Sequence, residues 1–126
     1  MSRIVLDAGA FIGIDRGDRA VAALLRVIWE EGLPVVSSAA VVAQVWRGGG
    51  AQARLARVLG GVEVRSLDSV DAKRTGTLLA RSKTADVVDG HVALLVCGGD
   101  RVLTSDPTDI ETLLAAREVS ATVVRV

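Results

Sequence analysis

Short β-branched runs alternate along the chain with longer stretches in which apolar residues recur every three or four positions. The runs at 3–6, 34–36, 62–66, 101–104 and 122–126 read as strands, and the stretches at 19–31, 38–47, 51–59, 69–81, 89–97 and 108–117 read as helices. Most intervals between the strand runs are long enough for right-handed crossover helices. The pattern therefore predicts an α/β fold, a three-layer α/β/α sandwich around a central parallel sheet of four to five strands. Punctuation agrees with these limits. Gly32-Leu33-Pro34 ends a helix and opens a strand, Gly48-Gly49-Gly50 separates two helices, and Ser105-Asp106-Pro107 reads as a cap followed by a first-turn proline. No linker or repeat divides the chain, so residues 1–126 are expected to form one domain.

Composition narrows the function classes. The chain has 126 residues, half of them hydrophobic, which suits a single core. Fifteen basic residues balance fifteen acidic ones, so bulk charge cannot drive binding to nucleic acid or to acidic lipid and any such contact must be local. Phe11, Trp29 and Trp46 are the only aromatics, too few for a platform that stacks successive bases. A lone cysteine, Cys97, excludes an intramolecular disulfide framework and a Cys-rich zinc site, and it fits a reducing compartment, the cytoplasm. It closes the apolar run 92–97 and reads as a small buried hydrophobe. The uncharged stretch 32–46 is broken by Pro34, Ser37 and Ser38, and Asp7 interrupts the apolar start, so neither a membrane span nor a signal peptide is expected.

The informative feature is where the acids fall. Asp7 follows the first strand run and Asp106 the fourth, and in an open parallel sheet the crevice beyond the carboxyl ends of the strands binds ligands. Asp86 and Asp89, three residues apart at the start of a helix, share one helical face. Single aspartates at helix starts are commonly caps. Four converging carboxylates are costly unless a cation lies among them, and all-oxygen ligands point to magnesium or manganese. On this reading Asp7, Asp86, Asp89 and Asp106 share one cleft around a cation. His91, two residues beyond Asp89, is turned away from the same site. Trp29 and Trp46 are expected in core packing or, for one of them, in a partner contact.

Four segments carry a resemblance: Ile4-Val5-Leu6-Asp7-Ala8-Gly9; the run from Ser38 to Arg47; the run from Asp86 to Ala93; and Leu103-Thr104-Ser105-Asp106-Pro107-Thr108-Asp109. In order and spacing they resemble the PIN domain, and within it the VapC-type toxins of toxin–antitoxin pairs. The resemblance spans essentially the whole chain. It implies a magnesium- or manganese-dependent endoribonuclease, homodimeric, held inactive by a cognate VapB-type antitoxin, and leaving a 3′-hydroxyl and a 5′-phosphate on RNA. Asp7 and Asp89 match metal-binding aspartates, Asp86 and Asp106 match positions that are often acidic, and Thr104 and Ser105 match hydroxyls that brace the pocket. Gln44 departs from the pattern, standing where such proteins carry a glutamate. An amide oxygen adds no charge, so weaker metal affinity is implied unless Asp86 and Asp109 compensate.

Three arginines, Arg47, Arg54 and Arg57, lie in the acid-free stretch 32–62 beside Gln44 and are the expected contacts to RNA phosphates, with solvated helix faces as the alternative. Two other functions compete. A PIN-like module that binds RNA without cutting it would explain Gln44. A phospho-acceptor receiver domain would also gather aspartates at strand ends, but it needs a lysine ending the last strand, and the only lysines are at 73 and 83.

Overall fold

Each strand that the apolar runs predict forms within one or two residues of its expected limits. The computed structural model describes residues 2–126. Strands β1 (Ile4–Leu6), β2 (Val35–Ser38), β3 (Glu63–Arg65), β4 (Arg101–Thr104) and β5 (Thr122–Arg125) form one sheet in the order β3-β2-β1-β4-β5, with every neighbouring pair parallel. Helices α1 (Ala8–Asp15), α2 (Arg19–Glu30), α3 (Ala39–Val45), α4 (Ala53–Leu59), α5 (Ser69–Ser82), α6 (Val87–Leu95) and α7 (Pro107–Arg117) flank it, giving the three-layer α/β/α sandwich. All residues of β1 and β2 are buried, as expected of strands covered on both faces, whereas edge strands β3 and β5 contain no fully buried residue.

The strand order decides where a ligand can enter. From β1 the chain runs outward through β2 and β3 on one side and through β4 and β5 on the other. The crevice at the carboxyl ends of β1 and β4 is therefore the topological switch point. A receiver-type sheet has the order 2-1-3-4-5, in which the third strand lies beside the first. Here β3 pairs with β2, and β4 with β1, so the receiver alternative fails on topology.

Helix α1 has no counterpart in the periodicity. Its sequence, Ala-Gly-Ala-Phe-Ile-Gly-Ile-Asp, is apolar nearly all round, so no 3.6-residue alternation marks it. Tertiary packing stabilises it instead. A Cβ on Gly13 would stand 2.8 Å from Val21 Cγ2 of α2, and one on Gly9 would stand 2.8 Å from both Cβ and the backbone N of Ser105. The two glycines thus let α1 lie close to α2 at one end and to the end of β4 at the other.

Three expectations require correction. Helix α6 starts at Val87, capped by Asp86, and ends at Leu95, two residues earlier at each end than the apolar run suggests. Cys97 therefore lies beyond the helix and is exposed. It sits in the turn that Asp100 closes onto its carbonyl oxygen, where Arg3 Nη2 reaches its Sγ at 3.2 Å. Trp29 and Trp46 are 38% and 42% exposed, outside the core, which is built from aliphatic side chains and Phe11. Among the described residues no helix is long and apolar enough to cross a membrane.

Candidate metal centre

The first acid is fixed by both of its oxygens. Asp7, leaving β1, is the N-cap of α1: its Oδ1 accepts from the backbone N–H of Ala8 at 2.7 Å, and its Oδ2 accepts from Thr104 Oγ1 at 2.8 Å. Only 5% of Asp7 is exposed. The cap and site readings are thus compatible, because one carboxylate oxygen caps while the other faces the end of β4. Thr104 Oγ1 also accepts the backbone N–H of Asp106 at 2.9 Å, tying the turn after β4 to Asp7. Ser105 contributes through packing against Gly9 and through its carbonyl, which accepts from Arg125 Nη1 at 3.3 Å.

Asp106 occupies the N-cap position of α7, ahead of Pro107, yet its side chain makes no capping bond. Its carboxylate is spent on no backbone N–H of the helix. One turn on, Asp109 brings a second carboxylate to the same place, and oxygens of Asp89, Asp106 and Asp109 lie within 4.8 Å of one another. Asp109 is thus a member of the tightest acidic group, although its sequence position suggests only a supporting part. The i, i+3 spacing from Asp106 in a proline-started helix is the signal for it. Asp86 caps α6, its Oδ1 accepting the Asp89 backbone N–H at 2.9 Å, so it shares the helix terminus with Asp89 with one oxygen committed.

Electrostatics bind the group together. Burial, then the charges of Asp7, Asp86, Asp106 and Asp109, push Asp89 up to about 7 from the ordinary 3.8. Asp109 is raised as well, first by its side-chain hydrogen bond with Asp106 and then by that residue's charge. Among the described residues no salt bridge reaches any of the five; the ion pairs join Arg3 to Asp100, Arg65 to Glu63, and Arg74 and His91 to Asp71. Five carboxylates without an ion-pair partner among the described residues, and with no sulfur or imidazole ligand among them, make a donor set suited to a hard divalent cation such as Mg2+ or Mn2+.

The remaining residues singled out in the sequence are bonded to none of the acids. Gln44 is exposed in the last turn of α3, a helix that packs on α6, and makes no hydrogen bond among the described residues. Arg47 turns back onto its own helix, Nη1 donating to the carbonyls of Ala43 and Trp46. Arg54 and Arg57 line a groove of about 730 Å³ with Ile14, Gly17 and Trp29. That groove lies at the carboxyl end of α1, whereas Asp7 caps its amino end. A basic residue that strand pairing brings next to Asp106 is Arg125, which donates to the Ser105 carbonyl. Its place at the end of the last strand is the only sequence signal for it. His91 is fully buried, its Nδ1 paired with Ser38 Oγ at 2.6 Å and its Nε2 with Asp71 Oδ2 at 3.3 Å, away from the carboxylate group. No protein-family model matches the chain, and no curated protein matches it.

Proposed function

We propose that the chain is a metal-dependent endoribonuclease of the PIN type, acting as the VapC-like toxin of a toxin–antitoxin pair. One observation carries this reading: Asp7, Asp86, Asp89, Asp106 and Asp109 gather at the switch point of a parallel sheet, none of them in an ion pair among the described residues. Asp7, Asp89 and Asp106 would hold Mg2+ or Mn2+, with Asp86 and Asp109 completing the charge. Bound there, the cation would offset phosphate charge, acidify water for attack and stabilise the leaving oxygen.

The protein's own groups then have separate parts. Thr104 holds Asp7 and the turn of Asp106 in one geometry, which lowers the ordering required when the site loads. Asp89, pushed up to about 7, retains a proton in a fraction of molecules near neutrality and must release it as the cation arrives. Arg125 stands where an RNA phosphate beside the acids would meet a guanidinium. Homodimerisation and a VapB-type antitoxin belong to the same proposal, with the exposed Trp29, beside Arg54 and Arg57, as a surface that suits a partner.

The test is cleavage of RNA by Asp7→Asn and Asp89→Asn variants in magnesium and in manganese. Each is expected to lose about 100-fold or more in rate, at or beyond the upper end of the roughly 10–100-fold that changes to outer-shell partners of a metal ligand cost. Undiminished cleavage in both variants would overturn the assignment. A wild-type protein that binds RNA, cuts none and gains no stability from magnesium would instead establish the inactive PIN-like module that Gln44 suggests.

A further inference from the structure

A second concave site lies between α5, α6 and α7, and its charge is opposite to that of the first. A cavity of about 330 Å³ is walled by Lys73, Arg74, Arg81 and Arg117, with Thr77 as a hydroxyl and Leu78 and Leu94 as its apolar part; no carboxylate and no aromatic ring lines it. Four cations around one cavity in a chain of zero net charge are a marked local excess. The cavity lies at the carboxyl ends of α6 and α7, and the acids at their amino ends. Asp109 and Arg117 are eight residues apart, about 12 Å of helix.

Solvated helix surface explains only part of this. Cations in a last helical turn are favoured by the helix dipole, which accounts for Arg81 and Arg117. Lys73 and Arg74 lie in the first half of α5 and gain nothing from it. Arg74 has a single loose partner, Asp71 at 3.6 Å. Arg117 is anchored, its Nη1 donating to the carbonyls of Ala93 at 2.6 Å and Val96 at 2.7 Å, while its Nε and Nη2 have no partner among the described residues. Burial lowers the Arg117 pKa from the ordinary arginine value, and the Arg74 charge acts in the same direction, against an opposing effect of Cys97. An arginine held in place beside other cations is a preorganised donor for an anion.

We infer that this cavity binds a compact oligophosphate, the linked phosphate groups of a di- or triphosphate, through Lys73, Arg74, Arg81 and Arg117. Four clustered cations match several adjacent negative charges better than the single, spaced charges of a nucleic-acid backbone. Without an aromatic wall the site offers a base no ring to stack on, and its four cations favour the phosphate chain as the recognised element.

The experiment is calorimetric titration of the full chain with tripolyphosphate, in EDTA and at physiological ionic strength. Binding of one equivalent is expected, weakened about tenfold or more by the Arg74→Gln/Arg81→Gln double variant. Both side chains are exposed, and an unchanged thermal transition without ligand checks the fold. An Arg65→Gln/Arg101→Gln variant, altered at exposed positions of β3 and β4 that line neither this cavity nor the groove beside Trp29, with the same loss of net charge, is expected to bind as wild type does. Equal weakening in both double variants, affinity no better than that of sulfate, or equally tight binding of a single-stranded oligonucleotide would each overturn the inference. Titration of Asp89→Asn should match wild type, which separates this site from the nuclease proposal.

Discussion

Neutralising one acid should stabilise the metal-free protein and erase part of its pH dependence. Burial and four neighbouring carboxylates move Asp89 from 3.8 to about 7. The folded state therefore holds the Asp89 proton more tightly than the unfolded chain does. The stabilisation this gives the protonated form is fully present below about pH 4 and is lost as pH rises through 7. At about 1.4 kcal/mol per pH unit the full difference is about 4 kcal/mol. Asp89 is only half-buried, and solvent screening reduces the figure to about 2 kcal/mol. In EDTA near pH 8, Asp89→Asn is expected to unfold roughly 6–10 °C above wild type, with the gap closing towards pH 4. Magnesium should reverse the order, because a ligand at a hundred times its Kd adds about 2.7 kcal/mol to wild type and little to a variant lacking a ligand atom. Thermal unfolding of both proteins across this pH range, with and without magnesium, is the assay. An Asn variant less stable than wild type near pH 8 in EDTA would refute the reasoning.

Two further outcomes follow from contacts away from Asp89. Burial alone would raise the Asp100 carboxyl, but the backbone N–H of Cys97 and the side chain and backbone of Arg3 outweigh it and hold Asp100 below its ordinary value. That stabilisation is present above about pH 4 and is lost as pH falls through the depressed folded value. Asp100→Asn, which leaves Arg3 without its charge partner, should cost about 2–4 kcal/mol at neutral pH and flatten the acid limb in urea denaturation. Gly9→Ala gains up to about 1 kcal/mol of helix propensity. It also places a methyl 2.8 Å from Ser105 Cβ and backbone N, an overpacking cost of about 1–3 kcal/mol. Net destabilisation and weaker magnesium-linked stabilisation are expected, since the clash separates Asp7 from the Asp106 turn; a neutral or more stable variant would contradict this contact.

Much of the architecture was legible because strand burial and helix amphipathicity are written in local periodicity. β1, the first half of β2 and the centre of β4 are continuous apolar runs, and α2 and α5 alternate with a helical period. α1 was not legible, because a helix packed on several sides has no polar stripe and its limits depend on the Asp7 cap and on Gly9 and Gly13. The exposure of Cys97 is illegible for a related reason. Hydropathy shows an apolar run but not where the helix lets go of it, and α6 stops at Leu95.

For the acids, residue type and position after predicted strands were enough to nominate Asp7, Asp86, Asp89 and Asp106 as neighbours, since parallel topology sends every carboxyl end to one edge. Which of them stand closest was decided in three dimensions. Asp109 joins Asp89 and Asp106 because Pro107 starts α7 at the crevice, and Arg54 and Arg57 face α2 because α4 packs on the far end of α1. Local sequence determined every strand and every helix except α1, their order and the supply of carboxylates. Strand pairing and helix docking decided which side chains meet, because proximity between residues nearly a hundred positions apart, such as Asp7 and Thr104, is a property of packing and not of spacing.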